Sequence, residues 1–436
     1  MKEILLFGAG KSATCLIQYL IGVATQRDWR LVVAENNLSL AESKIGAAPC
    51  ARAVAIDVSQ EEQRDALVQH ADIVISLLPP ALHYQVALSC LKTRRNLLTA
   101  SYVDESIRAL APAVRENGLL FLCEMGLDPG IDHMSALHLI GEIKAAGNHI
   151  LSFHSHTGGL VAPESDDNPW HYKISWNPRN VVLAGSAGAK FKVDGQVVTR
   201  PYADLWEGGG SIAVPGIGWG QIAIPGIGPL AWYPNRDSLP YIDLYGLQEA
   251  DSFIRTTLRH PDFLRAWSPI VRAGLTDDRR PIGSDVRTFA DWSAPLLPLI
   301  TPDTRPLYDF LGLFGQESLP PGATTSADIL QYLLENRLAM HPTDKDMIVM
   351  QHEIGFIREG KRWTEKSTLV VKGQDHLNTA MARTVGLPLG IAARLVLEGR
   401  INLTGLHIPI VPELYMPVLQ ELEQLGIGFE RSVAPV

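Results

Sequence analysis

Gly8-Ala9-Gly10-Lys11-Ser12-Ala13 sets two glycines and a small third residue at the spacing G-x-G-x-x-A. An apolar run precedes it, and a helical pattern through Leu16, Ile17 and Leu20 follows. Gly8 permits a tight turn, and Gly10 lets a pyrophosphate approach the backbone. The helix start supplies N–H donors and the positive end of a dipole. That chemistry is dinucleotide binding. Glu35 closes the next apolar run, Arg30 to Ala34, at the distance where an acid accepts a ribose 2′-hydroxyl. A carboxylate there repels a 2′-phosphate, and the following Asn36 and Asn37 bring no cation. NAD is therefore expected in preference to NADP.

A second centre is Phe121 to His133, FLCEMGLDPGIDH. Phe121, Leu122 and Cys123 end a buried strand, Gly126 and Asp128-Pro129-Gly130 break it, and Ile131 to Ile140 resumes at helical spacing. Asp128 thus stands just past the carboxyl end of a strand, where ligands bind in open α/β sheets. Its backbone is restricted by the proline that follows.

The elements that must position these groups alternate. Strands are expected at 2–8, 30–34, 53–57, 71–78, 96–100 and 119–123, with helices between them, for instance over 60–70. Such alternation gives a doubly wound parallel sheet of the Rossmann type, an α/β fold. Its strand ends at Asp57-Val58, Leu78, Ser101-Tyr102 and Asp128 should line one crevice. Beyond residue 130 the texture changes. Ile150 to Thr157 alternates like a half-buried strand, Gly158 to Trp176 is turn-rich with aromatics, and Val181 to Gln196 reads as hairpin material. PGIG occurs twice, near Pro215 and Pro225, as a pair of glycine-rich loops, and Arg236 falls in a turn. Residues 246–335 read as mostly helical, 347–357 and 367–372 as strands, and 374–397 as helix. A last helix covers 414–426.

With 436 residues, two or three domains are expected. Hydrophobic content of 46%, charged content of 19% and a net charge of −9 describe a folded chain and exclude a general nucleic-acid binder. An anionic substrate then needs local arginines. Cys15, Cys50, Cys90 and Cys123 form no CxxC pair, which fits thiols in a reducing, cytoplasmic setting. The N-terminus runs straight into a strand without a signal-peptide pattern. No long apolar run lacks Gly, Pro or charge, Ser211 to Trp232 included, so no membrane partner is expected. His154 and His156 share a strand face but have no third ligand nearby in sequence. His352-Glu353 is not HExxH, and His133 and His138 do not share a helix face. No metal is expected.

GLDPGIDH, GGLVAPESDDNPWHYKISW, YPNRDS, TTLR and TAMARTVGLPLGIAARLVLEGRI together resemble the L-glutamate-forming saccharopine dehydrogenase family, also called saccharopine reductases, nearly end to end. The resemblance implies a dinucleotide domain over 1–130, completed by segments within 376–436. It implies a mixed α/β substrate domain over 131–250 and 341–375, and a mostly helical insertion over 251–340. It carries cofactor contacts onto Gly8, Gly10, Lys11, Ser12, Ala13, Glu35, Asn36, Asp57, Val58, Ser76, Leu77, Leu78, Pro79, Leu127, Pro129 and Trp176. It carries substrate contacts onto Ser101, Tyr102, Asp128, Ser175, Arg236, Thr257, Leu258 and Arg259. Two departures stand out. Thr157 replaces a cysteine of the fungal pattern, and Glu35 stands where the fungal NADP enzymes carry arginine.

The implied reaction oxidises the secondary amine of saccharopine, a tricarboxylate, with NAD(P)+ and water, giving L-glutamate and 2-aminoadipate 6-semialdehyde. Arg236 would clamp a carboxylate through its planar fork, with Arg259, on an expected helix, as a second cation. Asp128 and Tyr102 would handle the amine or its proton. Lys173 is either a carboxylate partner or a solvated lysine. NADP remains allowed by the resemblance, and a homodimer is compatible with it. Two other readings are a related imine reductase acting on another amino-acid-derived secondary amine, such as carboxynorspermidine dehydrogenase, and a non-catalytic dinucleotide-binding regulatory protein.

Overall fold

The computed structural model describes residues 1–206 and 220–436. The loop expected at Pro215, and the part of the Ser211–Trp232 stretch before Gly220, lie outside the described residues. The chain forms two compact units, 1–142 with 377–429, and 143–376 with 430–436.

The first unit holds the parallel sheet: β1 (Glu3–Phe7), β2 (Arg30–Glu35), β3 (Ala51–Ala55), β4 (Ile73–Ser76), β5 (Asn96–Thr99) and β6 (Leu120–Leu122), with a late strand, Gly405–His407, beside β6. Its spatial order runs from that late strand through β6, β5, β4, β1 and β2 to β3. Every pairing is parallel. The central strands are apolar on both faces because helices cover both sides of such a sheet. Leu5, Phe7, Val32, Val74, Leu97 and Phe121 share one buried cluster. The order reverses between β1 and β4, and ligands bind at that switch point, beyond the strand carboxyl ends.

The helix Ala380–Leu397 has the length and apolarity to cross a membrane, with 78% of its window buried. The sequence reading discounted such a span because of its Gly, Pro and Arg residues. A Cβ on Gly386 would meet the Leu16 backbone nitrogen at 3.0 Å, so two helices of this unit pack backbone to backbone there.

The second unit is built on a mixed sheet. Its strands are β7 (His149–Val161), β8 (Ala189–Val193), β9 (Gln196–Arg200), β10 (Gly220–Ile224), β11 (Gly228–Pro234), β12 (Arg236–Asp237), β13 (Ser252–Arg259), β14 (Asp346–Arg358) and β15 (Lys361–Lys372). The tail strand Glu430–Pro435 pairs with β15. The sheet order is β10, β11, β13, β7, β14, β15 and the tail strand. β13 and β7 run parallel while the neighbouring pairs are antiparallel.

Several expectations are corrected here. Ser252–Arg259 is a strand, not the start of a helical stretch, so Arg259 lies on a strand. Its charges misled the reading: Arg255 and Arg259 are buried, at 2% and 4% exposure, although arginines at that spacing resemble the polar face of a helix. No correction falls on the helices between 261 and 337, which share one apolar cluster with Ala189, Phe191, Tyr233 and Ile254 of the second unit. Pro178–Val182 is a helix, with Asn177 capping its first N–H groups, and the hairpin follows it. The final helix is Pro412–Gln424, followed by the unforeseen tail strand.

Candidate active site

In the first unit, the β1 turn leads directly into a short helical turn at Lys11–Ala13. Gly8 has φ +99°, and a Cβ there would sit 2.8 Å from the Leu77 carbonyl oxygen, so only glycine fits. Its N–H donates to Ala34 O at 2.9 Å, and the Leu77 N–H donates to Phe7 O at 2.9 Å. These bonds draw the ends of β1, β2 and β4 together. Nothing lies within 4 Å of where a Cβ on Gly10 would stand, which leaves room for a pyrophosphate against the backbone. Lys11 is exposed, Ser12 is half-buried and Ala13 is packed beneath the turn. The turn therefore fits the dinucleotide.

Glu35 ends β2. Its carboxylate accepts from Ala9 N at 2.8 Å and from Asn36 N at 3.0 Å, holding it between the glycine turn and the strand end. Lys44, on the next helix, donates to the Gly10 carbonyl. Burial lowers its pKa to about 8, and the carboxylate of Glu35 opposes that shift. The sequence reading missed this cation. Lys44 is nine positions beyond Glu35, and only the helix turning back returns it to the glycine loop. Asp57 and Val58 follow β3, with Asp57 Oδ1 accepting from Ser59 N at 2.9 Å. Leu78 is half-buried and Pro79 exposed after β4.

His83 joins two predicted positions. Its Nδ1 lies 2.8 Å from Ser76 Oγ and its Nε2 lies 2.8 Å from Ser101 Oγ. The ring is 4% exposed, and burial pushes its pKa down to about 4. A neutral imidazole has one donor and one acceptor, which suits a bridge between two hydroxyls. No signal in the sequence marked His83.

Tyr102 Oη donates to Asp128 Oδ1 at 2.8 Å. The loop below them is rigidly held. Glu124, buried with φ +59°, accepts from Val103 N at 3.1 Å and pairs with His133 Nε2 at 2.9 Å. Gly130 has φ +145°, and a Cβ there would lie 2.1 Å from the Gly126 carbonyl oxygen. Leu127 and Pro129 are buried and Asp128 is half-buried. Nearby Cys123 has its thiol pushed up to about 12 by burial, which removes it as a thiolate nucleophile.

In the second unit, Thr257, Leu258 and Arg259 end β13, and Tyr233 pairs with Thr257 across β11. The Arg259 guanidinium lies over Tyr172, 5.3 Å from the ring centre, and donates to Leu258 O at 2.7 Å. Its Nε is buried without a hydrogen-bond partner, and among the described residues no carboxylate pairs with it. A desolvated cation without a counter-charge is costly, so the arrangement suits an incoming carboxylate. Ser175 is buried, and Trp176 donates to Tyr172 Oη at 3.1 Å. Arg236 is exposed, in a two-residue strand beside Ala189 and with left-handed φ of +53°. Thr157 Oγ1, on β7, is buried and has no hydrogen-bond partner among the described residues. Its neighbour His156 bonds Thr256 Oγ1 at 2.7 Å, and burial lowers its pKa.

Lys173 is not solvated. It is 4% exposed and bonds Asp344 at 2.6 Å and Asp167 at 2.8 Å, a structural tie between distant segments.

The family described as the saccharopine dehydrogenase NADP binding domain matches residues 4–122, and the saccharopine dehydrogenase C-terminal domain matches residues 126–427. The NADP-dependent, L-glutamate-forming saccharopine dehydrogenase of Saccharomyces cerevisiae is 33% identical, over 99% of this chain and 100% of its own length. The mitochondrial alpha-aminoadipic semialdehyde synthase of Bos taurus is also 33% identical, but this chain spans only 47% of it. The solved apo structure of the yeast L-glutamate-forming enzyme superposes with a TM-score of 0.86 at 32% identity, covering 100% of both chains. Matched by both domain models and by a full-length relative at 33% identity, this chain belongs to the saccharopine dehydrogenase family.

Proposed function

We propose that this protein is an NAD(P)-dependent oxidoreductase of lysine metabolism acting on saccharopine. In the oxidative direction, saccharopine, NAD(P)+ and water give L-glutamate, 2-aminoadipate 6-semialdehyde, NAD(P)H and a proton. When bound, the nicotinamide supplies two-electron acceptor chemistry at a carbon beside the secondary amine. Gly8, Gly10, Lys11, Ser12 and Ala13 hold its pyrophosphate, and Glu35, Asn36, Asp57 and Val58 hold the adenosine end. Ser76, Leu77, Leu78, Pro79, Leu127, Pro129 and Trp176 complete the cofactor contacts.

The chain's own residues then have distinct tasks. Arg236 and Arg259 hold substrate carboxylates, and Ser175, Thr257 and Leu258 are further substrate contacts of the same unit, because fixing the substrate supplies much of the rate; Ser101 is assigned to the substrate from the first unit. Asp128 and Tyr102 take up and return the amine proton at Asp128 Oδ1 and Tyr102 Oη. The observation that carries the substrate class is the buried Arg259 Nε, which has no acceptor among the described residues. Initial rates with saccharopine in the presence of NAD and, separately, NADP test the reading. No turnover with either cofactor would sink it.

We assign NAD as the preferred cofactor, on the carboxylate of Glu35 beside the glycine turn. Lys44 favours the second reading, NADP, because it brings a cation to the same loop. The ratio of kcat/KM for the two cofactors separates them. The related imine reductase and the non-catalytic regulator remain the other outcomes of the same assay.

A further inference from the structure

His171, His260 and Asp262 come together on the second unit, although 89 residues separate the first two in sequence. His171 Nε2 lies 3.5 Å from Asp262 Oδ2, and His260 Nδ1 lies 3.4 Å from the same oxygen. Those spacings match the edge of a tetrahedron whose metal–ligand bonds are about 2.0–2.2 Å, roughly 3.3–3.6 Å. Asp262 divides its oxygens: Oδ1 meets Arg265, and Oδ2 faces the two imidazoles. On the far side of His171, Asp166 Oδ2 lies 2.6 Å from Nδ1. A carboxylate accepting the Nδ1–H fixes the tautomer with the Nε2 lone pair free, the arrangement that orients metal-bound histidines. The two rings stand 3.8 Å apart. The present bond to His260 from Asp262 N is long, at 3.3 Å, and easily exchanged for a metal.

We propose that His171 Nε2, His260 Nδ1 and Asp262 Oδ2 form a binding site for one divalent d-block cation of the zinc class, oriented by Asp166. Two imidazoles and one carboxylate select such a cation over magnesium or calcium, which take oxygen sets. All three ligands are about one-third exposed, so the fourth position goes to water. The site is structural in its effect. His171 follows core Trp170 and precedes Tyr172, while His260 follows Arg259 at the end of β13 and caps the helix Pro261–Arg272. The ion would staple the Asn168–Tyr172 turn to the end of the strand that carries Arg259.

The test uses untagged full-length protein stripped with a chelator, then titrated with cobalt(II) chloride and, separately, zinc chloride. The expected result is one equivalent of cobalt with the intense visible bands of tetrahedral coordination, displaced by zinc, and a zinc-dependent rise in Tm. H171Q, at a partly exposed position outside the helix, should lose the bands and the Tm rise while keeping its chelated Tm. D166N should bind about 10–100-fold more weakly. A hydrogen-bonded His–Asp cluster only, with no stoichiometric cobalt uptake or with uptake unchanged in H171Q, would overturn the proposal. H171Q is the deciding variant, because His260 also caps a helix.

Discussion

Tyr102 Oη and Asp128 Oδ1, 26 residues apart in sequence, meet at 2.8 Å beyond the carboxyl ends of two strands of the parallel sheet. Asp128 is anchored from below by the interlocked Gly126 and Gly130 backbones, and Glu124 and His133 hold the same loop. The pair is therefore placed by backbone geometry and does not depend on ligand to form. Y102F removes one of the two groups that handle the amine proton and should cost about 100-fold or more in kcat/KM. D128N removes the proton acceptor and should cost about 100- to 10,000-fold. Steady-state rates with saccharopine check both, and an unimpaired D128N would reassign the proton to solvent.

Arg259 yields an opposed pair of readouts. Truncating a buried charge that grips a ligand charge costs about 2–5 kcal/mol in binding. Removing a buried charge that the protein itself leaves unpaired is neutral or stabilising. R259M should therefore raise KM for saccharopine steeply while Tm holds or rises. A variant that loses stability in proportion to activity would mark Arg259 as structural.

The proposed cofactor preference rests on Glu35 and Lys44, and pH reports on the second. Lys44 loses its charge as pH rises through about 8. KM for NADP should then rise across that interval while KM for NAD stays level, and K44Q should flatten the NADP profile. E35Q should shift the kcat/KM ratio toward NADP. An NADP profile identical in K44Q and the parent would remove Lys44 from the site.

His83 predicts acid lability. Its folded pKa, about 4, lies below the ordinary histidine value of about 6.5, so between those values the unfolded chain binds more protons. Stability from this group is present above about pH 6.5 and is lost as pH falls toward 4. His260, also lowered to about 4, contributes in the same window. Denaturant midpoints at pH 7 and pH 5 should differ less for H83Q than for the parent. An equal difference would show that the Ser76–His83–Ser101 bridge does not carry this pH dependence.

Ion-pair geometry shows what local reading misses. Lys173 in its polar run reads equally as a carboxylate partner or a solvated lysine, because its partner Asp344 is 171 residues away. Arg259 reads as one charge on a helical face. It is the end of a buried strand because β11 and β7 flank β13 on both sides. A strand whose charges face inward has no period-two alternation to betray it.

The amino-acid sequence alone determined the parallel sheet, its glycine turn, Glu35 at the end of β2, and Asp128 after the last internal strand. Each rests on a local rule: apolar runs of strand length, glycine where φ must be positive, an acid at a fixed spacing from a turn. Tertiary structure decided the rest. It returned Lys44 to the glycine loop, slid His83 between Ser76 and Ser101, buried Arg259 without a carboxylate, and gathered His171, His260 and Asp262. Those groupings join residues distant in sequence. They arise only when whole elements pack to remove apolar surface from water, and no short window of residues encodes them.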